Sequence, residues 1–185
     1  MKLPKHRTRL LASCLIGIAL VVIGCVYNRD LLRPAPWPVV YDSTFEFQLG
    51  QGSGWHGLDL IKITADGKAV YQYESSSNVW SRKTFQLTAV EMQSLADQVN
   101  ELKIVALDDY YKANIHDGTQ WCLLVKSQGH LKRIYCDNRF PRRIEKLAAF
   151  VHEKIIDRAG AKAVAISVPR DQVRDFEAEV WGGTN

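Results

Sequence analysis

The sequence predicts an α+β fold: an antiparallel sheet of about five to six strands with two helices packed on one face, preceded by one N-terminal membrane helix. Three observations carry that expectation. Short runs of alternating apolar residues are separated by tight turn signals, the pattern of antiparallel strands with one buried face. Two later segments repeat apolar residues at helical spacing. Near the start, Leu10 to Tyr27 runs eighteen residues without a charge.

The apolar run comes first. Residues 1–9 form a basic flank with Lys2, Lys5, Arg7 and Arg9 and no acid. Eighteen helical residues, 10–27, span about 27 Å, close to the hydrocarbon thickness of a bilayer. A secretory signal peptide has a shorter core and a small-residue cleavage site, and no good Ala-x-Ala pattern is present. Cationic residues ahead of the run favour an amino terminus in the cytoplasm. Val22-Ile23-Gly24-Cys25 resembles a bacterial lipobox, so lipidation at Cys25 is the rival reading. Leu11-Ala12-Ser13-Cys14 matches that pattern more closely but has almost no apolar core before it. Val26 and Tyr27 continue the apolar stretch past Cys25, which favours a retained span. The expected location is the periplasmic side of the inner membrane, or the outer membrane if Cys25 is lipidated. The partner expected for this segment is the membrane itself.

The charge balance follows from the leader. The chain has 24 Lys+Arg and 20 Asp+Glu, and four of the basic residues precede the apolar run. The remainder is balanced, which removes the electrostatic footprint of a nucleic-acid binder. Residues 28–43 are a stalk, because the prolines of Arg33-Pro34-Ala35-Pro36-Trp37-Pro38 block helix and favour an extended spacer.

The α+β domain spans 44–158. Phe45, Phe47 and Leu49 alternate on one face of a first strand. Strands Leu58 to Thr64 and Lys68 to Glu74 flank Asp66-Gly67, a signal for a two-residue type I′ hairpin. Trp80 to Leu87 is a further strand. Thr88 caps a helix and Glu91 closes its capping box, with Met92, Leu95, Ala96, Val99 and Leu102 on one side. Ile104 to Leu107 reads as a short extended piece. Trp121 to Lys126 and Leu131 to Cys136 form a second hairpin. Pro141 opens a second helix that buries Ile144, Leu147, Ala148, Val151 and Ile155. Residues 159–185 form a weakly structured tail: either a short strand at Val164 to Val168 and a short helix through Val173, Phe176 and Val180, or no regular structure.

This order, with Asp66-Gly67, Thr88-x-x-Glu91, Asp109-Tyr110, Asp117-Gly118 and the helix opened by Pro141, resembles small secreted or lipid-anchored bacterial domains of unknown function. The resemblance covers Phe45 to Asp157. It implies an envelope location and the α+β fold, and carries over no catalytic residue.

Four features bear on chemistry. Gly50 to Gly57 is a glycine-rich loop with Trp55 and His56 at its tip. It lacks the following helix and the Lys-Ser/Thr pair of a phosphate loop, so it is either a plain strand connection or a ligand loop. Asp108, Asp109, His116 and Asp117 bracket one polar connection. They match no calcium or zinc spacing but leave open a metal-dependent or hydrolytic enzyme. Cys122 and Cys136 lie on two arms of one hairpin, and an even-sum register would face them for a disulfide. Lys132, Arg133, Arg139, Arg142 and Arg143 form a basic cluster suited to anionic lipid or a phosphate polymer. No cofactor or metal site is expected. The leading expectation is a non-enzymatic envelope protein that binds another envelope protein or a cell-wall component. Its surface would be Trp55, His56, Trp80 and Trp121.

Overall fold

Alternation builds a single large sheet. The computed structural model describes residues 35–53, 56–115 and 118–181. The chain divides into two units, Met1–Ala35 and Pro36–Asn185, and the second carries the fold. The expected membrane segment 10–27, with Cys25, lies outside the described residues, as do Trp55, His116 and Asp117. No helix among the described residues is long and apolar enough to cross a membrane.

Eight strands form the sheet: β1 (Glu46–Ser53), β2 (Gly57–Thr64), β3 (Lys68–Ser76), β4 (Val79–Gln86), β5 (Tyr110–Lys112), β6 (Gln120–Ser127), β7 (His130–Asp137) and β8 (Ala165–Val168). Their spatial order is β5-β7-β6-β1-β2-β3-β4-β8. Every pairing is antiparallel except β5 with β7. Among the described residues three helices accompany it: α1 (Ala89–Glu101), α2 (Arg142–Phe150) and α3 (Arg170–Glu177). Helix α2 continues as π-helical turns over Val151–Ala159.

The expected fold class is therefore corrected. Among the described residues the sheet is mixed and has eight strands rather than five or six, and there are three helices rather than two. Tyr110 and its neighbours, read as part of a polar loop, pair in parallel with Tyr135 to Asp137. The tail supplies edge strand β8 and helix α3. The piece at Ile104–Ala106 is a 3₁₀ turn rather than extended chain.

One face holds the main core. Phe45, Phe47, Ile61, Ile63, Leu123 and Val125 point towards α1 and α2, and all are nearly fully buried. Helix α1 contributes Met92, Leu95, Ala96 and Val99, held in place by the expected capping box. Glu91 N–H donates to Thr88 Oγ1, and Thr88 N–H donates to Glu91 Oε2 at 2.8 Å. Burying each such aliphatic or aromatic side chain contributes roughly 1.5–3 kcal/mol before entropy is subtracted.

The β2–β3 connection is a type I turn closed by Gly67 N–H to Thr64 O at 2.8 Å, with Gly67 left-handed at φ +80°. It has three linking residues, not the two expected, because Asp66 accepts from Thr64 Oγ1 and Lys68 N–H and shapes the turn itself.

The stalk ends sooner than the sequence suggests. Val39 N–H donates to Asn100 Oδ1 at 2.8 Å, and Asn100 Nδ2 returns a bond to Val39 O at 2.7 Å. Val40 pairs in the same way with Ser127 Oγ. Trp37 stacks on His130 with centroids 5.1 Å apart. The spacer is thus fastened to α1 and the β6–β7 turn by residue 39.

Candidate functional site

The second face of the sheet is where the C-terminal segment acts. Along β1, β2, β3 and β6 this face carries Glu46, Gln48, Leu60, Lys62, Gln72, Leu124 and Lys126. Plain alternation would assign many of these to solvent. Helix α3 and the residues after it, through Trp181, cover them instead. Trp80 packs with Val168 and Val173, and Val180 packs with Leu58, Leu60, Cys122 and Leu124. Phe176 lies under two cations, Lys62 Nζ at 4.8 Å and the Arg82 guanidinium at 4.5 Å from its ring centroid.

Polar anchors fix the segment. Leu58 N–H donates to Glu177 Oε1 at 2.7 Å. Burial pushes the Glu177 carboxyl above its ordinary range, only partly offset by that bond and one from Trp181. Glu179 receives hydrogen bonds from Lys126 at 2.9 Å and Gln48 at 2.7 Å, and sits 3.5 Å from Lys62. Burial alone would raise Glu179. The bonds from Lys126 and Gln48 and the two lysine charges outweigh it and bring the carboxyl down to about 2. Lys126 loses by burial but gains more from Glu179 and Glu46, so its pKa rises. Lys62 is lowered, because its own burial exceeds what the more distant Glu179 returns.

Beside this cluster an open aromatic groove of about 680 Å³ runs along β7. The β7 alternation places Leu131, Arg133 and Tyr135 on the same face. Parallel pairing sets Tyr110 directly beside Tyr135, and the rings stack at 5.5 Å with 12° between planes. Trp181 closes the other side, its ring 5.9 Å from Tyr135. Tyr110 and Leu131 remain about half exposed, at 55% and 45%. Asp109 lies at the rim and is ion-paired to Lys132. Burial raises the Tyr135 phenol, so it stays protonated and can donate a hydrogen bond. The groove offers apolar ring faces with a guanidinium and a phenol for orientation, a lining suited to holding a ligand.

A model of the DUF6438 family, a domain of unknown function, matches residues 60–155, just over half the chain. This chain belongs to that family. No curated protein matches it. The DUF6438 match begins within β2 and ends in the π-helical turns after α2. It includes Tyr110, Arg133 and Tyr135, while Val180 and Trp181 lie beyond it. Central strand β1 also lies outside the match, although its hydrogen bonds join β2 to β6.

Of the residues predicted as binding surface, Trp55 lies outside the described residues, and Trp80 and Trp121 fall on opposite faces of the sheet. Trp80 is a correction: it is 3% exposed, a core residue of the second face. Trp121 is half-buried and packs on Phe140 at 4.7 Å. His56 is exposed, with its N–H on Ser53 Oγ, and it faces a small groove of about 230 Å³ shared with Arg174 and Trp181. The loop's last glycine has a packing role. Gly57 has φ +113°, and a Cβ there would meet the Trp80 ring at 2.8 Å.

The cysteine pairing is corrected too. Cys122 and Cys136 are both free. Cys122 pairs with Tyr135 and Cys136 with Trp121, so the register sum is odd. One step of register moves a side chain to the opposite face. Cys136 lies in the helix-covered core and Cys122 under the C-terminal segment. Burial raises both thiols, Cys136 to about 12.

Of the acidic loop only Asp108 and Asp109 are among the described residues, and the basic cluster is dispersed. Asp108 N–H donates to Tyr111 Oη, and Asp109 is held by Lys132. Among the described residues no group of three His, Cys, Asp or Glu side chains comes together as a metal site. Of the basic cluster, Lys132 pairs with Asp109, Arg133 lines the aromatic groove and Arg139 lies over Tyr111. Only Arg142 and Arg143 stay together, in a separate groove between α1 and α2. Tyr110, Tyr135 and Trp181 were missed as site residues. The available signal was the alternation Leu131, Arg133, Tyr135, which puts a tyrosine on a face the core does not need.

Proposed function

We propose that this DUF6438 protein is a non-enzymatic, membrane-anchored binding domain of the cell envelope, and that its aromatic groove takes cell-wall glycan. The observation that carries the reading is the Tyr110–Tyr135–Trp181 ring array bordered by Arg133. Sugar rings present flat C–H faces that lie against aromatic faces, and their hydroxyls suit a guanidinium and a phenol at the edge. The apolar run with its basic flank supports a tether that places the domain outside the cytoplasm. The pairing of Asp109 with Lys132 favours binding over acid–base work, because it ties up the carboxylate nearest the groove.

Cosedimentation of the detergent-solubilised full chain with purified cell-wall sacculi tests this reading. Retention of the wild type, and its loss in Tyr110→Ala and Trp181→Ala, is the expected result. Equal pelleting of all three proteins would remove the groove from the account.

A further inference from the structure

A second groove, between the carboxyl end of α1 and the amino end of α2, has a different chemistry. It measures about 480 Å³ and is lined by Lys103, Arg142, Arg143 and Lys146, with Glu101 as its one acid. Among the described residues none of these four cations has an ion-pair partner. The lysines that do pair, such as Lys126 and Lys132, do so elsewhere. The convergence is built into the backbone. Arg142 and Arg143 stand in the first turn of α2, and Lys146 follows at helical spacing on the same side. Lys103 is turned towards them by its left-handed conformation, φ 50°, between α1 and the 3₁₀ turn. Pro141 caps α2 without a side-chain hydrogen bond, so amide N–H groups of the first turn remain available to an anion.

Position narrows the ligand. Asn100, one residue before Glu101, is the side chain that clamps Val39 with two hydrogen bonds. The groove therefore adjoins the place where the chain arrives from the N-terminal segment. Eleven residues lie between Tyr27 and Val39, a reach of at most about 40 Å when extended. A domain held that close to a bilayer can lie down on it, bringing the four cations within the roughly 8 Å over which anionic headgroups attract them.

We infer that the Lys103–Arg142–Arg143–Lys146 groove binds the phosphate of anionic lipid headgroups, docking the domain flat on the membrane that tethers it. The inference rests on the tether named above but not on the aromatic groove. Each lysine or arginine brought to an anionic surface strengthens docking about fivefold, so four acting together dominate the orientation.

The test is hydrogen exchange on the full chain reconstituted in nanodiscs. One set is phosphatidylcholine alone; in the other about one lipid in four is phosphatidylglycerol, enough to give a negative surface. Slower exchange at residues 101–107 and 141–147 in the anionic discs is expected, with loss of that protection at high salt. The same loss is expected in a variant carrying Lys103→Gln, Arg142→Gln, Arg143→Gln and Lys146→Gln. All four side chains are exposed, so the variant keeps its core, and the salt arm tests the wild type without mutation. Identical exchange in the two disc types overturns the inference. Protection by inorganic phosphate in phosphatidylcholine discs, without added protection from phosphatidylglycerol, overturns the lipid as ligand. Failure of the chain to enter either disc overturns the tether reading and the docking with it. An inserted chain without headgroup dependence overturns the docking alone.

Discussion

The two faces of the sheet are built by different rules. The first is covered by α1 and α2 and is an apolar core in which Phe47, Ile63, Leu95 and Val99 are fully buried. The second is covered by the C-terminal segment and mixes Leu58, Leu60 and Trp80 with Gln48, Lys62, Gln72 and Glu179. Dispersion and area hold the first face. On the second, a few apolar anchors do part of the work, while hydrogen bonds and charges set where the segment lies. The difference teaches that a face can be buried without being apolar, provided its polar groups find partners.

Mutations give that contrast a measurable form. The largest effect belongs to the first face. Phe47→Ala, at a site with no exposure, is expected to cost roughly 3–5 kcal/mol by urea unfolding, because the cavity cannot collapse under two helices. On the second face, Glu177→Ala leaves the Leu58 N–H without its partner and should cost about 1–3 kcal/mol. A loss there as large as at Phe47 would make the two faces equivalent.

Acid titration sharpens the comparison further. Glu179 is depressed to about 2 in the folded protein. Its contribution is therefore present above the ordinary glutamate range near 4.5 and is lost as pH falls through about 2. Glu177 is raised, so its contribution runs the other way: present at low pH, lost as pH rises through its folded value. Thermal melts of the wild type and Glu179→Gln should diverge near neutral pH and converge towards pH 2. The divergence is small, under about 1 kcal/mol, because Glu179 is partly exposed and solvent screens its partners. The smallest expected effect is at the thiols. Peptide mapping of the natively alkylated protein should find Cys122 and Cys136 unmodified and unlinked, and modified only after unfolding. A linked pair would contradict the odd register.

The first face was legible in the sequence because its elements announce themselves. The capping box at Thr88 and Glu91, the alternation of Phe45, Phe47 and Leu49, and the stripe from Ile144 to Ile155 each mark a buried surface. The second face was not, for a physical reason. Gln48 and Gln72 alternate with apolar residues and look like solvent-facing positions, yet both are fully buried. Their partners, Glu179 and the backbone of Val173, come from a tail whose own periodicity is short. Trp80 was misjudged for the same reason, since only the tail covers it. The aromatic groove was hidden by topology: β5 has three residues and pairs in parallel, so nothing local marks Tyr110 as the neighbour of Tyr135. Of the basic cluster, proximity in sequence held only for Arg142 and Arg143. Lys146 joins them by helical spacing along α2, and Lys103 joins them from the turn after α1.

The most direct test of the central claim, that the groove shared by β5, β7 and the C-terminal segment is the ligand site, is calorimetric titration of the full chain with soluble cell-wall glycan fragments. The account predicts saturable binding that weakens roughly thirtyfold in Trp181→Ala, the scale of an aromatic anchor, while Trp121→Phe leaves it unchanged. Binding of equal strength in the wild type and Trp181→Ala, or loss only in Trp121→Phe, would contradict it.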